Sequence, residues 1–114
     1  MNIYQRAVQI WSILVLSAQN RQTITYETLA KISGIPQQGL GQLLFLIQYY
    51  CDQNQLPPLT VLVVKKKTGL PGSGLSHVDF PSALQSVFSE KWLSAKCPKP
   101  EAFKKAEHDY SKKK

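Results

Sequence analysis

The sequence has few of the residues that carry metal or redox chemistry. Its 114 residues include two cysteines, Cys51 and Cys97, and two histidines, His77 and His108. None of them forms the closely spaced pairs that hold a zinc ion, so we expect no metal site and no cofactor. Two cysteines are also too few for a disulfide framework, which favours a reducing compartment. We therefore predict a cytoplasmic protein.

The chain also lacks a long hydrophobic run. The most apolar stretch, "AVQIWSILVLSA" (7–18), contains Gln9. It is shorter than the about 20 apolar residues that a membrane span needs. As a signal peptide it would have Arg6 as the only basic residue before it. Bulky Leu16 would also lie near the cleavage point, where a small residue is needed. The stretch predicts a buried helix and no membrane partner.

Acidic residues are scarce, and the positive charge is unevenly placed. Lys and Arg number 14 against seven Asp and Glu, giving a net charge of +7. Residues 1–64 are nearly neutral, and the excess begins at "KKK" (65–67) and continues to a second "KKK" at 112–114. Such lysines can neutralise phosphates. For the terminal run, a solubilising role is the alternative.

The order of elements is predicted from apolar periodicity and from helix caps. Thr25 is expected to begin a helix that Gly34 ends, and Asn20 to cap the preceding helix. We expect Leu29, Ala30 and Ile32 to be buried in the helix that Thr25 begins. The predicted elements, in chain order, are a helix at 3–18, a strand at 22–25, helices at 26–33 and 37–53, a buried strand at 59–64, a glycine-rich loop at 67–74, and helices at 81–94 and 101–110.

This order predicts a mainly α fold with a small β-sheet, of winged helix-turn-helix type. A chain of this length is one domain. We assign a winged-helix-like domain to residues 1–97 and a basic C-terminal tail to residues 98–114. In the helix at 81–94, the apolar residues Val87, Trp92 and Leu93 are expected to be buried, and Asp79 to cap its start.

Four segments within residues 21–74 are similar to segments of a known protein family. "ITYETLAKISGIP", then "LGQLL", "NQLPPLTVLVV" and "KTGLPGSG" resemble the DNA-binding domain of the O6-alkylguanine DNA alkyltransferases and the alkyltransferase-like proteins. The resemblance implies a winged-helix shape and DNA affinity. Of the DNA-contacting positions, only Tyr26 matches, and it would contact a phosphate or a rotated nucleotide. Packing at the start of a helix is the alternative role for Tyr26.

The chain departs from that family where the family does its chemistry. The nucleophilic cysteine of the alkyltransferases would fall around Thr60 to Val63, where no Cys, His or Arg occurs. Methyl transfer requires a thiolate. The family's helix also carries an arginine that replaces a rotated base, whereas "QQGLGQLL" has none. Ser76, His77 and Asp79 are too close in sequence to form a triad, so we expect no enzymatic activity.

The helix at 37–53 is predicted to be the one that contacts DNA bases. Glutamine can pair with adenine edges in the major groove, so Gln37, Gln38 and Gln42 are candidates for base contact, together with Tyr26. Phosphate contacts would then come from cations outside this helix. The candidates for that role are Arg21, Lys31, Lys65, Lys66 and Lys67.

A protein-interaction module is the alternative function. The first helix is apolar nearly all round, which is typical of a central helix or of an interface. Tyr49 and Tyr50 add aromatic residues of the kind that interfaces favour. Antitoxins, immunity proteins and inhibitors are often chains of this size. This alternative predicts a homodimer or a protein partner in place of double-stranded DNA.

Overall fold

The computed structural model describes residues 1–71, 80–94 and 96–112. They form mainly helices with a small two-stranded sheet, as predicted. The glycine-rich loop beyond Pro71, the cap predicted at Asp79 and the residues Ser76 and His77 lie outside these ranges. The elements are α1 (Ile3–Gln19), β1 (Ile24–Thr25), α2 (Tyr26–Ser33), α3 (Gln37–Gln53), β2 (Val63–Val64), α4 (Phe80–Ser89) and α5 (Pro100–Lys112), with 3-10 turns at Leu59–Leu62 and Trp92–Ser94.

The predicted boundaries of α2 are confirmed. The Thr25 hydroxyl accepts a hydrogen bond of 3.1 Å from the Thr28 N–H, which makes Thr25 the N-cap. Gly34 ends the helix in the left-handed conformation with φ of 76°, where a residue without a Cβ is favoured. Pro36 then leads directly into α3. A three-residue turn, 34–36, thus joins the two helices.

The two longest helices, α1 and α3, end in the same motif as each other, and neither has a glycine there. After α1, Arg21 has φ of 54°, and after α3, Gln55 has φ of 56°. The Gln22 N–H donates to the Ser17 carbonyl at 3.0 Å, and the Arg21 N–H donates to the Ala18 carbonyl at 3.0 Å. This is a Schellman motif, which satisfies carbonyl groups at the helix end. Asn20 is the C-cap of α1, as predicted.

The predicted strand at 59–64 is largely wrong. Only Val63 and Val64 are extended, and they pair in parallel with Ile24 and Thr25. Residues 59–62 instead form a 3-10 turn in which every residue is buried. A short apolar run that is buried on all sides has no periodicity that separates a strand from a helical turn.

The core lies where α1 contacts both α3 and α5. Trp11 is at its centre: the ring centroids of Tyr50, Trp92 and Phe103 lie 5.4, 5.6 and 6.0 Å from that of Trp11. Edge-to-face and tilted pairs of this kind are favourable arrangements of aromatic rings. The Trp92 indole N–H also donates to the Val87 carbonyl at 2.8 Å, so its polar group is satisfied inside the core.

The segment 98–114, predicted as a tail, contains a helix that packs against the core. Phe103 on α5 is fully buried, and Ala106 is 3% exposed. The Gln53 side-chain amide donates to the Ala106 carbonyl at 2.8 Å, which ties α3 to α5. An isolated helix of this length is marginal in water, so burial of its apolar face supplies most of its stability.

Three residues predicted to be buried or central are exposed. Ile32 is 59% exposed because Leu29 and Ser33, four residues apart, occupy the inward face of α2. Leu93 is 65% exposed, since α4 ends at Ser89 and the chain continues as a 3-10 turn. Leu16 is 62% exposed on the outer face of α1. No helix in the described part of the chain is both long and apolar enough to cross a membrane.

Candidate nucleic-acid interface

The outer face of α3 carries the predicted glutamines. Gln37, Gln38 and Gln42 are all exposed. Their opposite face packs in the core, and its buried residues are Leu40, Leu43, Leu44, Leu46, Ile47 and Cys51. Three glutamines that sequence analysis assigned to base contact therefore lie on the surface, within the first two turns of the helix.

A shallow depression joins α2 to the beginning of α3. It measures about 510 Å³, and Glu27, Lys31 and Gln37 line it together with the turn at 34–36. Lys31, on the last turn of α2, therefore lines the same depression as the first residue of α3. A positive charge at the end of one helix and an exposed amide at the start of the next thus share one surface.

The lysine turn (residues 65–70) reaches the same region. The Lys66 Nζ lies 3.8 Å from the Glu27 Oε2, and the two side chains are 72% and 47% exposed. Glu27 also lines the depression that contains Gln37. Lys66, Glu27, Lys31 and Gln37 therefore follow one another over a continuous surface.

The backbone explains why these lysines project outward. β2 pairs with β1, which immediately precedes α2, so the chain that leaves β2 emerges beside the first turn of that helix. The Lys65 N–H donates to the Leu70 carbonyl at 2.9 Å, and the Gly69 N–H donates to the Lys65 carbonyl at 2.8 Å. Gly69 has φ of 69°, which closes the turn. The ladder continues with an antiparallel bridge between Val64 and Pro71.

Two other predicted site residues lie elsewhere on this surface or beneath it. Arg21 is exposed and precedes β1, so it lies at the end of that strand away from α2. Tyr26 is half-buried and packs against the core, which fits its packing role at the start of α2. The structure thus places Lys31 and Gln37 in one depression, with Lys66 next to Glu27 of that depression, and Arg21 before β1.

Sequence analysis missed two features of this surface. The contact between Glu27 and Lys66 depends on strand pairing across a large part of the chain, which no local pattern predicts. The second feature is a row of aromatic rings. Phe45 and Tyr49 are stacked at 6.2 Å, and Tyr49 and Tyr110 at 4.0 Å, with interplanar angles of 15° and 12°. The spacing of Phe45 and Tyr49, four residues apart on one helix, was the available signal.

The cysteines do not resemble an alkyltransferase centre. Cys51 is fully buried, and burial raises the pKa of its thiol to about 12, so the sulfur stays protonated. Cys97 is exposed, with its sulfur 4.0 Å from the Ser12 hydroxyl. At the position where the family has its nucleophile, Thr60 is fully buried. In the described ranges, no three His, Cys, Asp or Glu side chains are grouped as a metal site requires.

The candidate functional surface is therefore formed by the lysine turn, α2 and the exposed face of α3. The likeness to the alkyltransferase DNA-binding domain over residues 21–74 remains an expectation from sequence motifs. Comparison with protein-family models, with curated proteins and with solved structures finds no match to this chain.

Proposed function

We propose that this protein binds double-stranded DNA without catalysing a reaction, through a winged-helix-like surface of modest affinity. The observation that carries the proposal is the contact between Lys66 and Glu27, because Glu27 also lines the depression that contains Gln37. Lys66 thus contacts a residue that shares a depression with Gln37, from which we infer that the cationic turn and the glutamine-bearing start of α3 face the same side of the molecule. A duplex lying against that side would contact both.

Each group has a distinct role in this proposal. Gln37, Gln38 and Gln42 enter the major groove, where a glutamine amide can pair with the N6 and N7 positions of adenine. Lys65, Lys66 and Lys67 contact the phosphate backbone, as does Lys31 at the end of α2. Phosphate contacts of this kind set affinity and register, and base contacts set sequence preference.

The lysine turn takes the place of a wing. It is closed by the antiparallel bridge between Val64 and Pro71. The parallel pairing of β1 and β2 differs from the antiparallel hairpin of a usual wing. We infer that the turn contacts phosphates from one side of α3, and Arg21 extends this contact at the margin.

Salt dependence of duplex binding tests the proposal. We expect the logarithm of the binding constant to fall linearly with the logarithm of salt concentration, by about 0.9 for each neutralised phosphate. Changing Lys65, Lys66 and Lys67 together to Ala is expected to reduce that slope by up to about 2.7 and to weaken binding to all sequences alike. Fluorescence anisotropy with a labelled duplex measures both quantities.

A charge-matched triple variant is the control. Lys99, Lys104 and Lys105 are exposed lysines at the start of, and along, α5. Their replacement by Ala removes the same charge from another part of the chain, and we expect it to change the slope far less. An equal loss of slope in both triple variants would mean that net charge alone drives binding, which contradicts the proposed surface.

A protein-interaction module is the second candidate, favoured by the exposure of Leu16 and Leu93. Contiguous exposed apolar surface marks a contact with a partner or with a second copy, and this candidate function assigns Leu16 and Leu93 to such a surface. Replacement of Leu16 by Glu would then abolish capture of that partner or convert a dimer to a monomer, as measured by sedimentation. Under the DNA-binding proposal, the same variant binds duplex DNA like the unchanged protein.

A further inference from the structure

A row of aromatic rings continues the exposed face of α3 beyond the glutamines. Gly41, Phe45 and Tyr49 are spaced four residues apart, which places them on one side of the helix. Phe45 is 47% exposed, an unusual position for a large apolar ring. Gln42 lies on the same exposed side, one turn before Phe45. The base-reading face proposed above therefore runs directly into an exposed aromatic ring.

The Phe45 ring lies next to other aromatic rings. It is nearly parallel to Tyr49, with centroids 6.2 Å apart, and Tyr49 is in turn stacked on Tyr110 of α5 at 4.0 Å. Four residues rise about 6 Å along an α-helix, so the two rings on α3 follow each other along its axis. Gly41 precedes Phe45 in this row by the same four residues. The half-exposed Phe45 ring thus has an aromatic neighbour on its Tyr49 side and a residue without a side chain on the other.

Gly41 has no side chain at the next position along this row of aromatic rings. A side chain at position 41 would lie one turn before Phe45 on the same side of α3, just as Phe45 lies one turn before Tyr49. A Cβ built at Gly41 has no heavy atom within 4 Å among the residues that the structure describes. Gly39, in contrast, faces the Ile35 side chain at 3.4 Å. Glycine weakens the interior of a helix, and it recurs where a ligand approaches the backbone closely. Packing gives no reason for glycine at position 41.

The charges on either side of the row favour nucleic acid on the Gly41 side. At the Tyr110 end, Asp52 and Asp109 line a depression between α3 and α5 together with Lys112. At the other end, Lys31 lines the depression that contains Gln37, and Lys66 contacts Glu27 of the same depression. Phosphates are repelled by the carboxylates and attracted by the lysines. A nucleotide chain would therefore run from Phe45 toward the start of the helix.

We propose that the exposed Phe45 ring stacks an unpaired nucleobase from a single-stranded DNA segment that adjoins the bound duplex. Every base has a flat π-face, so such stacking tolerates any sequence, and it strengthens binding by about 1–3 kcal/mol per base, or about fivefold to 150-fold. The inference rests on the proposed duplex binding, and it specifies the DNA as a junction between paired and unpaired strands.

Three labelled duplexes of one sequence test it: one blunt, one with a short oligothymidine extension, and one with an abasic extension of the same length. The abasic extension carries the same phosphates without bases. We expect the protein to bind the thymidine-extended duplex at least about fivefold more tightly than the abasic one. Phe45→Leu is expected to remove this difference and to leave binding to the blunt duplex unchanged.

Position 41 gives a matched pair of variants. Both Gly41→Leu and Gly41→Ala remove the conformational cost of a glycine within a helix. Gly41→Leu also places a large side chain next to Phe45, whereas Gly41→Ala adds only a Cβ. Both are expected to raise the Tm by a few degrees, roughly 2–6 °C. Gly41→Leu loses the preference for the thymidine extension, and Gly41→Ala keeps it. A purely structural role of Gly41 would make the two variants bind alike.

The outcomes separate this inference from the function on which it rests. Failure to bind any of the three duplexes overturns the proposed function. Binding to all three with equal affinity, or a preference that survives Phe45→Leu, overturns the stacking inference and leaves duplex binding in place. Sedimentation of the unchanged protein as a dimer that Phe45→Leu converts to a monomer assigns the ring to a contact between copies, which also overturns the inference.

Discussion

The Lys66 ammonium lies 3.8 Å from the Glu27 carboxylate, and both side chains are largely exposed. An exposed pair of this kind contributes at most about 1 kcal/mol to stability. Under the proposed duplex binding, its larger effect is electrostatic, because the carboxylate would offset a cation that contacts a phosphate. The pair therefore limits the positive potential of the surface formed by the lysine turn and α2.

Replacement of Glu27 by Gln is expected to strengthen duplex binding. Removal of the carboxylate frees Lys66 and raises affinity by about threefold to tenfold at low salt, with a steeper salt dependence. The loss of a negative charge from the first turn of α2 costs about 0.3–1 kcal/mol of stability. Anisotropy titrations and thermal unfolding measure the two effects. Glu101→Gln, at the exposed start of α5, is the control, and an equal gain in both variants would contradict the role of Glu27.

Arg21 and Gln55 provide a second test, since each is in the left-handed conformation at the end of a helix. Glycine at either position is expected to stabilise the protein by about 0.5–1 kcal/mol, because it relieves the Cβ strain of that conformation. Chemical denaturation measures this gain. Arg21→Gly is expected also to weaken duplex binding and to lower the salt slope by about 0.9.

Gln55→Gly separates the two effects of that change. It makes the same backbone change at the end of α3, away from the lysine turn, so it should stabilise the protein and leave binding intact. If both glycine variants bind DNA like the unchanged protein, Arg21 contacts no phosphate.

Stability in alkaline solution is expected to depend on Cys51. Burial raises the pKa of this thiol from 9.0 to about 12. Below pH 9 the thiol is protonated in both folded and unfolded chains and contributes no pH dependence. Between pH 9 and 12 only the unfolded chain releases the proton, so stability falls by up to about 1.4 kcal/mol per pH unit.

Urea denaturation of Cys51→Ala between pH 8 and 11 measures this contribution. The variant is less stable at pH 8 because it loses buried volume, yet its stability should fall less steeply as the pH rises. Cys97→Ser, at an exposed position, should keep the slope of the unchanged protein. Identical slopes in all three proteins would show that Cys51 ionises freely in the folded state.

The α5 helix is expected to be necessary for the fold. Phe103 is fully buried against Trp11 and Tyr50, so Phe103→Ala should destabilise the protein by about 3–5 kcal/mol. Lys104→Ala, at the neighbouring exposed position, should change stability by less than about 0.5 kcal/mol. Thermal unfolding distinguishes these outcomes, and a small effect of Phe103→Ala would mean that α5 detaches readily from the core.

Local signals in the sequence were enough to predict the helices of the first half of the chain. Thr25 and Gly34 mark the ends of α2 through hydrogen bonding and backbone conformation, which depend on few neighbours. The burial of Leu40, Leu43 and Ile47 follows from the period of α3. Caps and periodicity act within one or two turns, so a sequence displays them directly.

Features that depend on tertiary contacts were not predicted. Residues 59–62 fold as a buried turn because α1, α3 and α4 surround them, and their composition alone fits a strand equally well. The lysine-rich end conceals the inward face of α5, since Phe103 and Ala106 are the two buried residues of a largely polar helix. Of the candidate site, residue types were predictable, and the proximity of Lys66 to α2 was not.

The parallel pairing of Ile24 with Val63 has a kinetic consequence. The two partners are separated by α2, α3 and a buried turn, so the loop between them closes late, after its entropic cost has been met by helix packing. This strand pairing is what brings Lys66 beside Glu27 at the start of α2. Under the proposed function, a nascent or partly unfolded chain would therefore attract polyanions through charge without any means of orienting them.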